Sequence, residues 1–248
     1  MIRFLFALLA LLNISAASFA ATTPEEAEQL ARDGKFNEAV DAYEAVLASG
    51  YENADVYYNL GYAYFKTGAL GKAILNFERS RRLNPSDPDV LANLDLAYSL
   101  TDKMQTVEPF VLDKWWQGVK DSFGSDGWAV LFVTLFFLAL CGIGCFLFLD
   151  SVAARKIGFF SALLLAIVAV FALSVSLQKR SEILNSDEAI IMSSSVTLQT
   201  SPDKNGSQMA VLHEGTYVKI IDTLGEWIEV RLKDGNIGWL KANEVEKI

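Results

Sequence analysis

The fold of this chain is decided by two apolar runs in its middle, WAVLFVTLFFLALCGIGCFLFL at residues 128–149 and IGFFSALLLAIVAVFALSVSL at residues 157–177. The runs have 22 and 21 residues, and neither contains a charged side chain. At about 1.5 Å of rise per residue, helices of this length reach roughly 33 and 31 Å, enough to cross a hydrocarbon core about 30 Å thick. The sequence therefore predicts two transmembrane helices.

The connection between the runs, residues 150–156, is short enough only to turn the chain round. Because irregular backbone is not tolerated in lipid, the soluble parts on either side of this hairpin must share one side of the membrane. Arg155 and Lys156 favour a cytoplasmic loop, whereas Lys179 and Arg180 after the second run favour the opposite orientation. Charge placement alone therefore does not fix the sidedness.

The amino terminus indicates on which side of the membrane the soluble parts lie. Residues 1–20 carry one basic side chain, Arg3, then an apolar stretch and small residues before Ala21, which is typical of a cleavable secretory signal peptide. The alternative is an uncleaved signal anchor, since residues 4–21 are almost long enough to span. Both interpretations export the following segment, so we predict that both soluble parts lie outside the cytoplasm.

Composition limits the partners and the chemistry. With 248 residues, the chain allows one small domain on either side of the hairpin, which is less than a typical enzyme core needs. The net charge of -9 argues against nucleic acid. The single histidine, and the absence of a nucleophile motif or phosphate loop, predict no enzyme, no catalytic residue, no metal and no cofactor.

Two cysteines, Cys141 and Cys145, stand four residues apart in the first apolar run. A thiol or metal function is one interpretation of this spacing. The other is close packing of the two spans through the small residues Gly142, Gly144 and Cys145. Since the exported parts contain no cysteine, they must fold without disulfides.

Residues 21–104, here called the helical module, repeat with a period of 34. Gly34 aligns with Gly68, Tyr43 with Phe77, and Tyr64 with Tyr98. Small residues allow paired helices to approach, glycines permit the turns, and Asn84 followed by Pro85 ends a helix. The pattern predicts five helices, at residues 24–33, 36–48, 54–66, 70–82 and 88–100, and an all-α solenoid.

The segment from Tyr57 through Leu60, Gly61 and Tyr64 to Phe77 resembles a tetratricopeptide repeat, most clearly over residues 54–87. The resemblance implies a groove, lined by the first helix of each repeat, that binds a segment of another protein. The matching positions predict the protein-binding residues Tyr58, Asn59, Tyr62, Phe65 and Asn93. The alternative is that the three rings pack against the first helix or against the segment after Leu100, and that the two asparagines bond a neighbouring helix.

Residues 105–127 form a juxtamembrane segment. Leu112, Trp116, Val119 and Phe123 follow helical spacing, which predicts an amphipathic helix at the membrane surface. The alternative is packing of this helix on the solenoid.

Residues 188–248, here called the β module, follow a linker at residues 178–187. Five short β-type runs separated by turn residues predict a small all-β SH3-like barrel. The turn Asp234-Gly235, followed by Gly238 and Trp239, resembles a bacterial SH3 domain, which implies binding of cell-wall peptides or proteins. The candidate ligand surface is Tyr217, Trp227 and Trp239, with core or rim packing as the alternative for all three residues.

The order of the parts is signal, tetratricopeptide repeats, transmembrane hairpin and SH3 module. This order, in a multidomain membrane protein, resembles the BatE-type proteins of the aerotolerance operon. The resemblance implies a multi-pass scaffold of the bacterial inner membrane, with periplasmic modules active in envelope or oxidative-stress maintenance. It also implies partners with von Willebrand factor type A domains and a MoxR-type ATPase. The alternative function is a cell-wall sensor or tether that binds peptidoglycan through the SH3 module.

Overall fold

The computed structural model describes residues 23–101, 110–203 and 206–248. In these residues, eight α-helices precede an antiparallel β-sheet. The predicted signal peptide, residues 1–20, lies outside the described residues. The architecture therefore has three described parts, which are the helical module, a pair of long apolar helices with a short helix before it, and the β module.

Five short helices form the helical module, and their ends agree with the predicted ends to within one residue. Asn53 begins the third of them, because its side chain accepts a hydrogen bond from the Val56 amide at 2.7 Å. Gly68 ends that helix in a left-handed conformation, with φ of 84°. The five are α1 Pro24–Arg32, α2 Phe36–Ala48, α3 Ala54–Thr67, α4 Leu70–Leu83 and α5 Pro88–Ser99.

The pair α3 and α4 packs closely because Gly61 has no side chain. A Cβ atom at this position would lie 2.8 Å from Cδ1 of Phe77 and 3.1 Å from the carbonyl oxygen of Ala73. Phe77 is fully buried, and its ring fills the space beside Gly61. Gly61 therefore fixes how α3 and α4 meet, and with them the core of the helical module.

Two long apolar helices follow the short helix α6, Val111–Lys120. They are α7, Ser125–Phe148, and α8, Val152–Leu184, with 24 and 33 residues, and both are long and apolar enough to cross a membrane. Because α8 continues to Leu184, most of the segment predicted as a linker, 178–187, is helical. The turn between α7 and α8 is also shorter than the predicted loop at 150–156.

Small residues bring α7 and α8 together, as the sequence predicts for two of its three positions. A Cβ atom at Gly142 would lie 3.0 Å from Cβ of Ala162, and Cβ of Cys145 lies 3.0 Å from the position of a Cβ at Gly158. Gly144 is different, since a Cβ there would meet no atom within 4 Å. Gly142 and Cys145 therefore lie at the contact between the helices, and Gly144 does not.

The β module is one antiparallel sheet of seven strands, in the order β3-β2-β6-β5-β4-β1-β7. Five strands correspond to the predicted runs, and two short ones, β1 and β7, were not predicted. The pairing of described residues leaves β3 and β7 as the two edges, so the sheet is not closed into the predicted barrel. The strands are β1 Glu188–Ile191, β2 Ser195–Gln199, β3 Gln208–His213, β4 Tyr217–Leu224, β5 Trp227–Leu232, β6 Ile237–Lys241 and β7 Val245–Lys247.

The β module has its own core and also contributes to the core of the helical module. Leu198, Val218, Val230 and Leu240 are fully buried inside the sheet. By contrast, buried Ile190 from β1 belongs with the buried side chains of the helices. The two modules are thus in direct contact in the folded chain.

Candidate protein-binding surfaces

The predicted groove begins at Tyr58, which links the two helices that would form it. The Tyr58 ring lies 5.9 Å from the ring of Phe77, measured between centroids. The Asn93 amide donates one hydrogen bond to the Tyr58 hydroxyl at 3.2 Å and another to the carbonyl oxygen of Asp89 at 2.8 Å. Asn93 therefore bonds a neighbouring helix, and it fixes the spacing between α3 and α5.

Tyr62 and Phe65 are half-buried rings that rest on the core of the helical module. Tyr62 meets Phe36 of α2 edge-to-face, with 6.2 Å between centroids. The Lys66 ammonium lies 5.1 Å from the centroid of the Tyr62 ring. These rings are thus anchored on one side by packing and keep the other side accessible.

Asn59 lies in a different environment from the other predicted groove residues. It is half-buried next to Tyr43, and burial raises the pKa of that phenol to about 12. The nearby Asn59 side chain acts in the opposite direction on this pKa, which places it beside the Tyr43 hydroxyl of α2. A hydrogen bond joins Asn93 to Tyr58 in the predicted groove, whereas Asn59 contacts α2.

Leu96 is a groove residue that the sequence analysis missed. It stands 34 residues after Tyr62, in the equivalent position of α5, and 49% of it is exposed. Leu100, which follows Lys66 by the same interval, is 60% exposed. The 34-residue period could have identified Leu96, because it gives each aromatic position of α3 an equivalent position on α5. The groove, as used below, consists of Tyr58, Tyr62, Phe65, Asn93 and Leu96.

The groove changes in charge along its length. Glu28 of α1 stands 34 residues before Tyr62, and its carboxylate is half exposed at 2.6 Å from the Arg32 guanidinium. Glu25 and Glu26 lie in the first turn of α1, before Glu28. The α1 end is therefore acidic, whereas the α5 end is apolar at Leu96.

The predicted ligand surface of the β module is divided by the structure. Tyr217 packs on the helical module, where burial and then the Glu188 carboxylate raise the pKa of its phenol. Trp227 and Trp239 are half-buried on adjacent strands, and Trp239 pairs with Glu229 of β5. Their neighbours Ile228 and Leu240 are buried. Because side chains alternate along a strand, the two tryptophans lie on the outward face of the sheet. Unlike Tyr217, neither of them packs on the core of the helical module.

The juxtamembrane helix α6 rests on the long helices. Trp116 and Trp128 both meet the ring of Phe171 in α8, with centroid distances of 6.1 and 6.0 Å. The indole nitrogen of Trp128 donates to the carbonyl oxygen of Lys120 at 3.1 Å. Trp115, by contrast, is 65% exposed. The helix therefore has one packed face and one accessible apolar face.

Two ion pairs hold the end of α6 to the end of α8. The Lys120 ammonium lies 2.9 Å from the Glu182 carboxylate, and the Lys179 ammonium lies 2.9 Å from the Asp121 carboxylate. Both lysine side chains are buried, whereas the two carboxylates are almost half exposed, so water screens each pair in part. Each helix end thus supplies one lysine and one carboxylate, and the two ion pairs hold α6 beside α8.

The free cysteines Cys141 and Cys145 are exposed on α7. In the described part of the chain, no group of three or more His, Cys, Asp or Glu side chains is placed to hold a metal ion. The absence of an enzyme activity and of a cofactor stays a prediction.

Comparison with known proteins identifies two families in separate parts of the chain. Residues 25–88 match the family described as tetratricopeptide repeat, and residues 194–246 match the family described as bacterial SH3 domain. No curated protein matches the chain. The chain thus combines a tetratricopeptide repeat with a bacterial SH3 domain, and two long apolar helices separate them.

Proposed function

We propose that this chain is a non-enzymatic, membrane-anchored scaffold whose groove binds a segment of another protein. The observation that carries this proposal is the row of anchored but accessible rings, Tyr58 and Tyr62, continued onto α5 by half-exposed Leu96. Rigid aromatic side chains bind at low cost in conformational entropy, which suits such a surface. The match to the tetratricopeptide repeat family supports protein binding.

The chemistry of the groove favours a particular kind of partner. Its α1 end presents Glu25 and Glu28, and its α5 end presents Leu96. A segment with basic residues at one end and apolar residues at the other would satisfy both ends. We therefore propose a basic, amphipathic segment as the ligand, and expect its binding to weaken as salt is added.

The finer identity is part of the same proposal. The order of the modules supports a BatE-type role in an aerotolerance or envelope-stress complex of the bacterial inner membrane. Von Willebrand factor type A domain proteins and a MoxR-type ATPase are the expected partners. In this arrangement α7 and α8 cross the membrane, and the helical and β modules lie in the periplasm.

The groove is tested by two matched substitutions on α5. Leu96→Asp places a charge in the groove, whereas Leu91→Asp places the same charge on another face of the helix at similar exposure, 45% against 49%. Each variant is purified in tandem from membranes, and the recovered proteins are identified by mass spectrometry. We expect Leu96→Asp to lose partners that Leu91→Asp retains. Equal recovery by both variants would remove the groove from the proposal.

The membrane topology needs an independent test. In a chain with Cys141 and Cys145 changed to serine, single cysteines are introduced at exposed Ser99, Thr223 or Lys156. A membrane-impermeant maleimide added to spheroplasts should label the first two and spare the third. Labelling of Lys156→Cys alone would reverse the proposed sidedness.

A second candidate function is a peptidoglycan tether that acts through the β module. It is favoured by the outward face with Trp227 and Trp239, because flat rings beside a carboxylate such as Glu229 suit a sugar-peptide polymer. The full chain in detergent should then sediment with purified peptidoglycan, and Trp239→Ala should sediment less. Sedimentation that is absent, or unchanged by this substitution, would exclude the tether.

A further inference from the structure

In the part of the chain that the structure describes, no helix covers α5 as the second helix of a complete repeat would. In the second repeat, α3 is covered by α4 through the close contact at Gly61. Among the described residues, α5 has no equivalent of α4, and Asp95 stands 34 residues after Gly61. The face of α5 that a further helix would cover is therefore free to be covered by another part of the molecule.

A side chain of the β module reproduces a contact that α4 makes in the second repeat. The Tyr64 hydroxyl donates to the Glu44 carboxylate, and the ammonium of Lys72 in α4 lies 4.9 Å from the Tyr64 ring. One period later, the Tyr98 hydroxyl donates to the Glu78 carboxylate at 2.7 Å. The cation over the Tyr98 ring is Lys233, at 4.1 Å, from the turn between β5 and β6.

The contact at Lys233 is more enclosed than its counterpart at Lys72. Lys233 also lies 4.8 Å from the ring of Tyr217, so two aromatic rings share one cation. Burial lowers the pKa of Lys233, and the nearby Glu78 carboxylate opposes this effect. Lys233 thus lies over the Tyr98 ring as Lys72 lies over the Tyr64 ring.

The β module also completes the start of α4. The residue before this helix, Ala69, has no side chain that can accept a hydrogen bond from the first turn. The Glu214 carboxylate accepts a hydrogen bond from the Gly71 amide at 2.8 Å and supplies the cap from outside the helical module. Its negative charge is also favourable at the start of a helix.

The end of the chain forms a third contact with the solenoid. Arg79 of α4 donates to the carbonyl oxygen of Lys247 at 2.8 Å and to the Glu246 carboxylate at 3.0 Å. Arg82 donates to the carbonyl oxygen of Ile248, whose side chain is buried among those of the helices. Three separated parts of the β module therefore meet α4 and α5.

We propose that the β module replaces the missing second helix of the third repeat and closes the solenoid as a built-in cap. The two modules then form one unit, in which the order of α5 depends on the seated β module. The face with Tyr217 and Lys233 is used inside the molecule, so a ligand of the β module must bind elsewhere. This inference does not depend on the groove ligand.

The test uses two glycines of the β module that share a left-handed backbone conformation and differ in their surroundings. Gly215 and Gly225 have φ of 84° and 61°, so alanine at either costs roughly 1 kcal/mol in backbone strain. A Cβ at Gly215 would lie 2.8 Å from Cδ1 of Ile74 and 2.9 Å from Cγ2 of Thr101, whereas at Gly225 it would meet nothing within 4 Å. Only Gly215→Ala should disturb the contact between the modules.

The readout is hydrogen exchange of the α5 amides, measured by mass spectrometry on the full chain in detergent. We expect Gly215→Ala to accelerate this exchange on the order of tenfold, and Gly225→Ala to leave it near the wild-type rate. Equal effects of the two variants, or no effect of either, would overturn the cap.

A variant in the helical module tests the contact between the modules without changing a residue of the β module. Gly71 is the second residue of α4, and replacing glycine by alanine in a helix is normally stabilising, by up to about 1 kcal/mol in the helix interior. A Cβ at Gly71 would, however, lie 2.5 Å from Cγ of Glu214. With a seated β module, Gly71→Ala should therefore accelerate exchange in α5. If the exchange of the α5 amides slows instead, the alanine stabilises the helix without meeting the β module. The inference is then wrong.

Discussion

The second repeat and the incomplete third repeat carry equivalent tyrosines, and the two sites differ in where their cover comes from. Tyr64 is covered by Lys72 of the adjoining helix, whereas Tyr98 is covered by Lys233 of the β module. The first contact is local in sequence, and the second closes a long loop that contains both apolar helices. A solenoid can thus obtain its last packing layer from a domain of another fold class, because the layer needs particular contacts at particular positions.

The largest effect should follow from giving the second repeat the residue of the third. Gly61→Asp would place a carboxylate against the Phe77 ring and the Ala73 carbonyl oxygen, neither of which can donate a hydrogen bond to it. Overpacking and an unpaired buried charge together should cost about 3–5 kcal/mol. Hydrogen exchange of the α3 and α4 amides measures this loss.

The reciprocal change is the control. Asp95→Gly should cost no more than about 1 kcal/mol, the helix propensity of glycine, since no helix packs at Asp95 among the described residues. Comparable losses for Gly61→Asp and Asp95→Gly would mean that the two repeats are covered in the same way, and the comparison would fail.

The two lysines give the next largest difference. Lys233→Ala removes a cation shared by the rings of Tyr98 and Tyr217, and should cost about 2 kcal/mol because the contact is largely desolvated. Lys72→Ala removes one ring contact and should cost about 0.5–1 kcal/mol. Native-state hydrogen exchange of α5 and of α3 reports the two losses.

Lys219 offers a matched control within the β module. Its ammonium lies 3.2 Å from the Asp187 carboxylate, and both side chains are about half exposed. Lys219→Ala should therefore change stability by less than about 1 kcal/mol. A loss as large as that of Lys233→Ala would point to a general charge effect instead of the ring contact.

The comparison also explains which parts of the structure the sequence could predict. Helix ends in the helical module were predictable because their signals are local, as Asn53, Gly68 and Asp87 illustrate. The strands β1 and β7 were missed because they have four and three residues and form only by pairing with each other and with β4. The cap at Gly71 comes from a residue 143 positions away, which no local pattern indicates.

The candidate groove was predictable for the same reason as the helices. The period placed Tyr58 and Asn93 on one surface, and it would also have placed Leu96 there. It could not indicate that Asn59 turns toward Tyr43, because that choice depends on packing between helices. The division of Tyr217 from Trp227 and Trp239 likewise depends on a contact between modules.

The stability contributed by the tyrosines at the third repeat should depend on pH, in contrast to that of an exposed tyrosine. Burial, followed by the carboxylates of Glu78 and Glu188, raises the pKa of Tyr98 and of Tyr217 above the usual value. Because the folded state keeps these protons longer than the unfolded state, the stability they contribute is complete below about pH 10 and is lost as pH rises further.

The measurement is the urea midpoint of the full chain in detergent at pH 8 and above pH 10. Tyr98→Phe should flatten the alkaline loss, whereas Tyr51→Phe should not, since Tyr51 is 50% exposed. An alkaline profile that Tyr98→Phe leaves unchanged would place the titrating groups elsewhere in the molecule.

The smallest effect should come from the ion pair between the modules. Arg79 and Glu246 meet at 3.0 Å with side chains 26% and 49% exposed, so Glu246→Gln should cost only about 0.5 kcal/mol. The cost should shrink further in high salt, because exposed charges are screened. Arg79 keeps its bond to the Lys247 carbonyl oxygen, and Ile248 stays buried.

If Glu246→Gln instead released α5 as strongly as Lys233→Ala, charge at the rim would hold the cap in place of the ring contacts and buried apolar side chains. Exchange rates of α5 in both variants, at low and high salt, decide between these two accounts.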